Sequence, residues 1–248
     1  MNRSDIKGKR GIDEQFRSEY EVRYKAMKVL RSAKKYMTLR ELSKITGIAP
    51  SLLSRYINGR LLPNKATSER ILSEVLDRDV IAQILLKRIT YTKFGAGSVY
   101  DISLAAGDPD LLYLISEYIA VDSGGDFDAI ITPEVGGITF ASSISLVTGK
   151  RLVIAVRSRP VEGSYIEIPV VRNPASIEYY YLRERDLEGV RSVIIVDDFS
   201  VRGSTIKALA EALDRRGVAV RNIYIIVGLG DEWQAIPNTK ALLTLMLY

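Results

Sequence analysis

The chain has 248 residues, 47% of them apolar, enough to bury a core in one large domain or two modest ones. It contains no cysteine and no histidine, which excludes disulfides, thiolate chemistry, imidazole acid–base catalysis and histidine metal sites. Net charge is +5 but uneven: residues 1–90 carry 20 Lys/Arg against 10 Asp/Glu and residues 91–248 carry 15 against 20, so a polyanion partner is expected for the N-terminal part alone, with a solvated basic surface as the plain alternative.

The chain opens MNRSDIKGKRG, without the apolar core of a signal peptide, and no apolar run reaches the roughly 18 residues of a membrane span. A cytoplasmic protein with no membrane partner is expected. Residues 1–15 read as a mobile arm, whose KGKRG cluster suits nucleic-acid phosphates. From Phe16 to Tyr36 a helix is expected, with Tyr20, Tyr24, Met27, Val29 and Leu30 on its apolar side. Thr38 and Glu41 then fit a capping box, and Leu39, Leu42 and Ile45 supply a buried stripe. Gly47 ends that helix. Pro50 suits the first turn of the next, which carries Leu52, Leu53, Tyr56 and Ile57 and stops near Asn58-Gly59.

Two short amphipathic helices joined by a turn with glycine have the sequence form of a helix-turn-helix. The stretch TLRELSKITGIAPSLLSRYINGRLLP resembles the DNA-binding helix-turn-helix of Cro- and repressor-type regulators. That resemblance implies double-stranded DNA as partner, with Ser51, Ser54, Arg55 and Asn58 on the exposed face of the second helix. Arg55 suits a guanine edge, while Thr38, Arg40, Arg60 and Lys65 suit the phosphate backbone. Leu42, Ile48, Leu53 and Tyr56 read as core, and a three-helix packing unit without nucleic acid is the alternative. Residues 68–90 continue as helix with more apolar positions than one stripe needs, so they are expected to link two modules and contribute to a homodimer. KFGAGS, residues 93–98, is the expected linker.

In the C-terminal part, Asp108-Pro109 precedes an amphipathic helix, about Asp110 to Val121. A buried strand from Phe127 to Thr132 runs into Glu134, Val135, Gly136 and Gly137, where two glycines let backbone approach a ligand at a helix start. Another buried strand, Leu152 to Val156, leads to Arg157-Ser158-Arg159-Pro160, and residues 164–171 and 177–182 read as a hairpin. Val193 to Val196 are four β-branched residues in a row, the pattern of a parallel strand buried on both faces. Asp197 and Asp198 follow, then Phe199, Ser200, Val201, Arg202, Gly203, Ser204 and Thr205 at the start of a helix carrying Ile206, Leu209 and Leu213. Such a loop, at the carboxyl edge of a sheet, suits an anion, and the paired acids suit vicinal sugar hydroxyls. Strands 222–228 and 242–248 complete the sheet, and Trp233 either covers a base or fills the core.

VIIVDDFSVRGST resembles the phosphoribosyl-pyrophosphate (PRPP) motif of type I phosphoribosyltransferases, and Glu134 to Gly137 their pyrophosphate loop. The resemblance implies an α/β domain with a central parallel sheet flanked by helices over residues 91–248, behind an all-α helix-turn-helix domain over 16–90. It implies that Asp197 to Thr205 bind ribose and 5′-phosphate, that Arg157 meets pyrophosphate, and that magnesium accompanies PRPP. Ser158 stands where the family usually has Lys, Arg202 where it has Thr or Ala, and Ser204 where it has Gly. Arg202 either grips the phosphate from its flank or crowds the loop. The whole order resembles archaeal phosphoribosyltransferase-like regulators of the GfcR type and, with a different DNA-binding domain, the bacterial purine repressor. The expectation is therefore a transcription regulator that senses PRPP or a purine nucleotide without confidently assignable catalytic residues. The alternative is an active purine or orotate phosphoribosyltransferase with an accessory helix-turn-helix.

Overall fold

A computed structural model describes the backbone of residues 3–94 and 97–246, with side chains for 18–93 and 99–246. Contacts divide the chain into two units, residues 1–87 and 88–248.

The first unit is helical: α1 (Arg3–Ala33), α2 (Leu39–Thr46), α3 (Pro50–Ile57), α4 (Lys65–Val75) and α5 (Arg78–Leu86). Backbone is helical from Arg3, where an arm ending near residue 15 was expected. Gly8 and Gly11 each cost about 1 kcal/mol against alanine, but no proline interrupts the run. The side chains of Phe16 and of the KGKRG cluster lie outside the described residues. The buried stripe of α1 also differs from expectation: Ala26, Met27, Val29, Leu30 and Ala33 are inside, while Tyr20 and Tyr24 are 50% and 49% exposed and stack on each other. Their hydroxyls stay in water, where no buried partner is needed.

The capping box forms. Thr38 Oγ1 accepts from Glu41 N at 3.2 Å, and Glu41 Oε2 accepts from Thr38 N at 2.6 Å. Those hydrogen bonds hold the Glu41 carboxyl below the usual carboxylate range. Gly47 closes α2 in the left-handed region at φ 66°, and Pro50 starts α3. The single run expected over 68–90 is two helices, because Asp77 accepts from Asp79 N at 2.8 Å and caps a new one. The surplus of apolar positions belongs to α4 and α5 separately: Ile71, Val75, Ile81, Ile84 and Leu85 are all fully buried.

In the second unit β1 (Thr90–Phe94) pairs antiparallel with β2 (Gly97–Asp101). The KFGAGS segment, expected as a linker, has its described residues within the paired strands of the second unit, and Gly95 and Ala96 lie outside the described residues. The elements that follow are α6 (Ser103–Ala106), α7 (Pro109–Asp122), β3 (Ala129–Pro133), α8 (Ile138–Thr148), β4 (Arg151–Ala155), β5 (Tyr165–Asn173), β6 (Ser176–Arg183), β7 (Ser192–Ser200), α9 (Ser204–Asp214), β8 (Ala219–Leu229) and β9 (Thr239–Leu245).

Five strands form one parallel sheet in the order β4-β3-β7-β8-β9. Alternate residues of a strand face opposite sides. Ala129, Ile131, Val193, Ile195, Ile223 and Ile225 join one core with Ile206, Leu209 and Leu213 of α9 and the inner face of the β5–β6 hairpin. The intervening positions turn to the other face, where Tyr224 donates to Asp122 Oδ2 at the end of α7 at 2.6 Å and Lys240 Nζ donates to the same oxygen at 2.7 Å. Burial and that carboxylate push the Tyr224 hydroxyl far above its ordinary range, so it stays a donor. Because the strands are parallel, the loops after β3, β4, β7 and β8 emerge at one edge, where ligands of such sheets bind. No helix among the described residues is long and apolar enough to cross a membrane.

Candidate functional site

The loop after β7 is held by a strand with no exposed surface: Val193, Ile194, Ile195 and Val196 are fully buried between β3 and β8. Asp197 continues in register opposite Ile225 and is 8% exposed. Its Oδ1 accepts from Asp198 N at 3.1 Å. Burial, and then the neighbouring Asp198 carboxylate, raise the Asp197 carboxyl well above the usual carboxylate range.

Gly203 then turns the chain at φ 71° into α9. The amides at the start of a helix have no carbonyl partner within it, and those of Ser204 and Thr205 are in this position. Around this turn lies a cavity of about 420 Å³, lined by Arg172 and by Asp197, Phe199, Ser200, Val201, Arg202, Gly203, Ser204 and Thr205. Of the nine loop residues expected, only Asp198 is outside that lining. It points instead to the second loop.

That second loop, Glu134 to Gly137, ends β3 and starts α8. A Cβ on Gly136 would stand 1.7 Å from Asp198 Oδ2, and one on Gly137 would stand 2.3 Å from Thr132 Oγ1 and 3.1 Å from Val196 O. The structure thus brings the two expected loops together, and the glycine pair is their contact surface. Glycine is needed here for the approach of the protein's own β7 loop, a reason the sequence does not display. Substituting Gly137→Ala pushes against backbone and is expected to cost about 1–3 kcal/mol of stability, measured by urea unfolding.

Arg157 follows β4. Its Nε donates to Tyr180 Oη at 3.3 Å and its guanidinium lies 5.6 Å from the centre of the Tyr180 ring. The tyrosine contact strengthens the positive charge of Arg157, with smaller contributions from Glu178 and Glu134. Ser158 is exposed, and Arg159 bonds to the Tyr165 hydroxyl while stacking over that ring. Arg202 lines the cavity at its exposed rim, where Nε lies 3.4 Å from Glu232 Oε2. Trp233 is core. It is 5% exposed, presses on Gly228 and donates from Nε1 to Gly230 O at 3.0 Å.

Arg172 is the residue that sequence reasoning missed. Ile166, Ile168 and Val170 are the buried alternates of β5, and residue 172 extends that inward series. A cation at the end of an apolar alternation was the available signal. What the sequence does not display is its partner: the β5–β6 pairing shifts register between Val171 and Asn173, and the Arg172 side chain meets Glu178 and the first turn of α9. Nε and Nη2 of Arg172 donate to Glu178 Oε2 at 2.9 and 2.8 Å, and Nη1 donates to Ser204 Oγ at 3.1 Å.

In the helical unit, Arg40, Ser51, Arg55, Asn58 and Arg60 are exposed, while Ser54 is half-buried. Asn58 Nδ2 donates to Ser54 O at 2.9 Å and Ser54 Oγ at 3.3 Å, so those two candidates are engaged with each other. Thr38 is occupied as a cap, and Lys65 lies 4.0 Å from Glu69.

A model of the phosphoribosyl transferase domain matches residues 111–237. A protein of Methanohalophilus mahii named hypoxanthine/guanine phosphoribosyltransferase is 32% identical over 167 residues, covering 66% of this chain and 84% of its own length. A protein of Thermococcus gammatolerans named orotate phosphoribosyltransferase is 34% identical over 126 residues, 48% of this chain and 57% of that one. The crystal structure of adenine phosphoribosyltransferase from Rhodothermus marinus superposes with a TM-score of 0.59 at 16% identity, covering 67% of this chain and 99% of that one.

Proposed function

Because the chain belongs to the phosphoribosyl transferase domain family, with a type I α/β fold, we propose that it transfers the ribose 5-phosphate group of PRPP to a nitrogen of a nucleobase. One observation carries this reading: the end of β7 that carries Asp197 and Asp198 meets the Gly136–Gly137 loop, so a sugar phosphate and a pyrophosphate have adjoining places. The relatives support a transferase over a sensor without turnover, and those named for hypoxanthine and guanine favour a purine base over orotate.

In this reaction the bond from C1 of ribose to pyrophosphate oxygen breaks, a bond from C1 to the base nitrogen forms, and the proton of that nitrogen passes to the departing pyrophosphate or to water. Amides from Ser200 to Thr205 hold the 5′-phosphate. Asp197 and Asp198 accept from the ribose hydroxyls and fix the ring. Amides of Glu134 to Gly137 at the start of α8, with the guanidinium of Arg157, stabilise charge on the departing pyrophosphate. The residues present fit a magnesium ion that accompanies PRPP: Asp198 is a half-buried carboxylate whose Oδ2 lies against Gly136 of the pyrophosphate loop. Asp198 would hold the ion, and the chemistry a bound magnesium would supply is neutralisation of phosphate charge.

The test is to incubate the protein with PRPP, magnesium and hypoxanthine, guanine, xanthine, adenine or orotate in turn. A nucleoside monophosphate is expected from at least one purine, and none from any base refutes the reading.

The helical unit supports an accompanying function. Exposed Arg40, Ser51, Arg55 and Arg60 around α2 and α3, on a segment with 20 Lys/Arg against 10 Asp/Glu, favour binding of a homodimer to double-stranded DNA as a ligand-responsive regulator. Affinity for DNA upstream of its own coding region, followed by fluorescence anisotropy, is expected to fall steeply with salt, and Arg55→Ala to lose about 1–3 kcal/mol of sequence discrimination. Sedimentation as a monomer at micromolar concentration would remove the dimer.

A further inference from the structure

The chemistry of a phosphomonoester poses a difficulty for this cavity. The ligand brings a charge of about −1.5 to −2 close to two aspartates, while a helix N-terminus offers only about half a positive charge. Two cations line the cavity, Arg172 and Arg202. Arg202 sits on the rim with 69% of its side chain exposed, where water screens its charge and only an exposed pair with Glu232 positions it.

Arg172 is built differently. Glu178 takes Nε and Nη2 through a single oxygen, which fixes the plane of the guanidinium. The opposite edge, Nη1, faces the first turn of α9 and donates to Ser204 Oγ. A serine hydroxyl that accepts from an arginine keeps its own proton free to donate. The pair therefore presents an N–H and an O–H to the place where the helix amides point.

We propose that Arg172, delivered by the β5–β6 hairpin, is the side-chain cation of the phosphomonoester subsite and makes the cavity select a phosphorylated ribose over the unphosphorylated sugar. The assignment rests on the transferase reading of the same cavity. Glu178 is the positioning residue: it holds the guanidinium and touches no ligand. Its carboxyl is drawn below the usual range by the Arg172 hydrogen bond, so it remains an anion in neutral solution.

Calorimetric titration of the full chain with ribose 5-phosphate and, separately, inorganic pyrophosphate tests this, using wild type, Arg172→Ala, Arg172→Lys and Glu178→Gln. Both arginine variants are expected to bind ribose 5-phosphate roughly 10- to 100-fold more weakly, while pyrophosphate affinity stays within about 2-fold. The lysine variant keeps the charge but not the fork, so it controls for a fold disturbed by alanine. Glu178→Gln is expected to lie between wild type and the arginine variants. Ribose 5-phosphate affinity within about 2-fold of wild type in both arginine variants overturns the proposal, as does an equal loss for pyrophosphate, which marks a purely structural role. Wild-type protein that binds neither PRPP nor ribose 5-phosphate overturns the transferase reading and this proposal together, an outcome distinct from both.

Discussion

The double substitution Asp197→Asn/Asp198→Asn is expected to lower PRPP affinity by at least about 100-fold, because each aspartate supplies a charge-assisted acceptor to a ribose hydroxyl. Calorimetric titration reads the loss directly, and retained heat would relocate the ligand. The single substitution Asp197→Asn is expected to act oppositely on the fold. The Asp197 carboxyl is raised by burial and by Asp198, so the unfolded chain ionises at lower pH than the folded one. Below the unfolded value, about 3.9, both states are protonated and the site costs nothing. As pH rises through that value the unfolded chain releases its proton first, and native stability falls until the folded carboxyl also ionises. Asparagine removes this cost and keeps the acceptor for Asp198 N. The variant is expected to melt higher than wild type at pH 7, with the gain vanishing toward about pH 4 and below. A lower melting temperature at pH 7 would contradict the buried acid.

Gly136→Ala is the second large effect, and it separates function from stability. A Cβ there would overlap Asp198 Oδ2 at 1.7 Å, and what yields is the end of a flexible side chain. The fold is expected to lose about 1 kcal/mol or less, while displacement of the Asp198 carboxylate lowers PRPP-dependent turnover by about 10- to 100-fold. Gly137→Ala, which meets Val196 O and the Asp197 Cα, has the reverse profile and weakens the fold itself. Full turnover in Gly136→Ala would show that Asp198 does not work from this position.

Why some of this was legible in the chain and some was not follows from the range of each interaction. Runs such as Val193 to Val196 and caps such as Thr38 with Glu41 are set by neighbours in sequence, so the central strand and the start of α2 could be read directly. The motif loop was readable for the same reason. Asp77 is a helix start written in one residue, yet it was overridden by the apolar positions on both sides, and α4 and α5 were merged. The KFGAGS segment has the composition of a linker, and only the antiparallel pairing of Thr90–Phe94 with Gly97–Asp101 shows that its flanks belong to one unit. Tyr20 and Tyr24 obey helical spacing but lose the buried face to Ala26, Val29 and Leu30, a choice made by neighbouring helices. The alternation of β5 places Arg172 on the inward side, but its contact with Ser204, 32 residues away, is a tertiary one that the local pattern does not specify.

The central claim is that the turn before α9 and the loop before α8 form one site for a phosphoribosyl ligand. A crystal structure of the protein with PRPP and magnesium tests it most directly. The account predicts the 5′-phosphate on the amides of Ser200 to Thr205 beside Arg172, the ribose hydroxyls on Asp197 and Asp198, and the pyrophosphate against Gly136 and Gly137. Well-ordered PRPP elsewhere on the chain, with the carboxylates of Asp197 and Asp198 touching none of it, would contradict it.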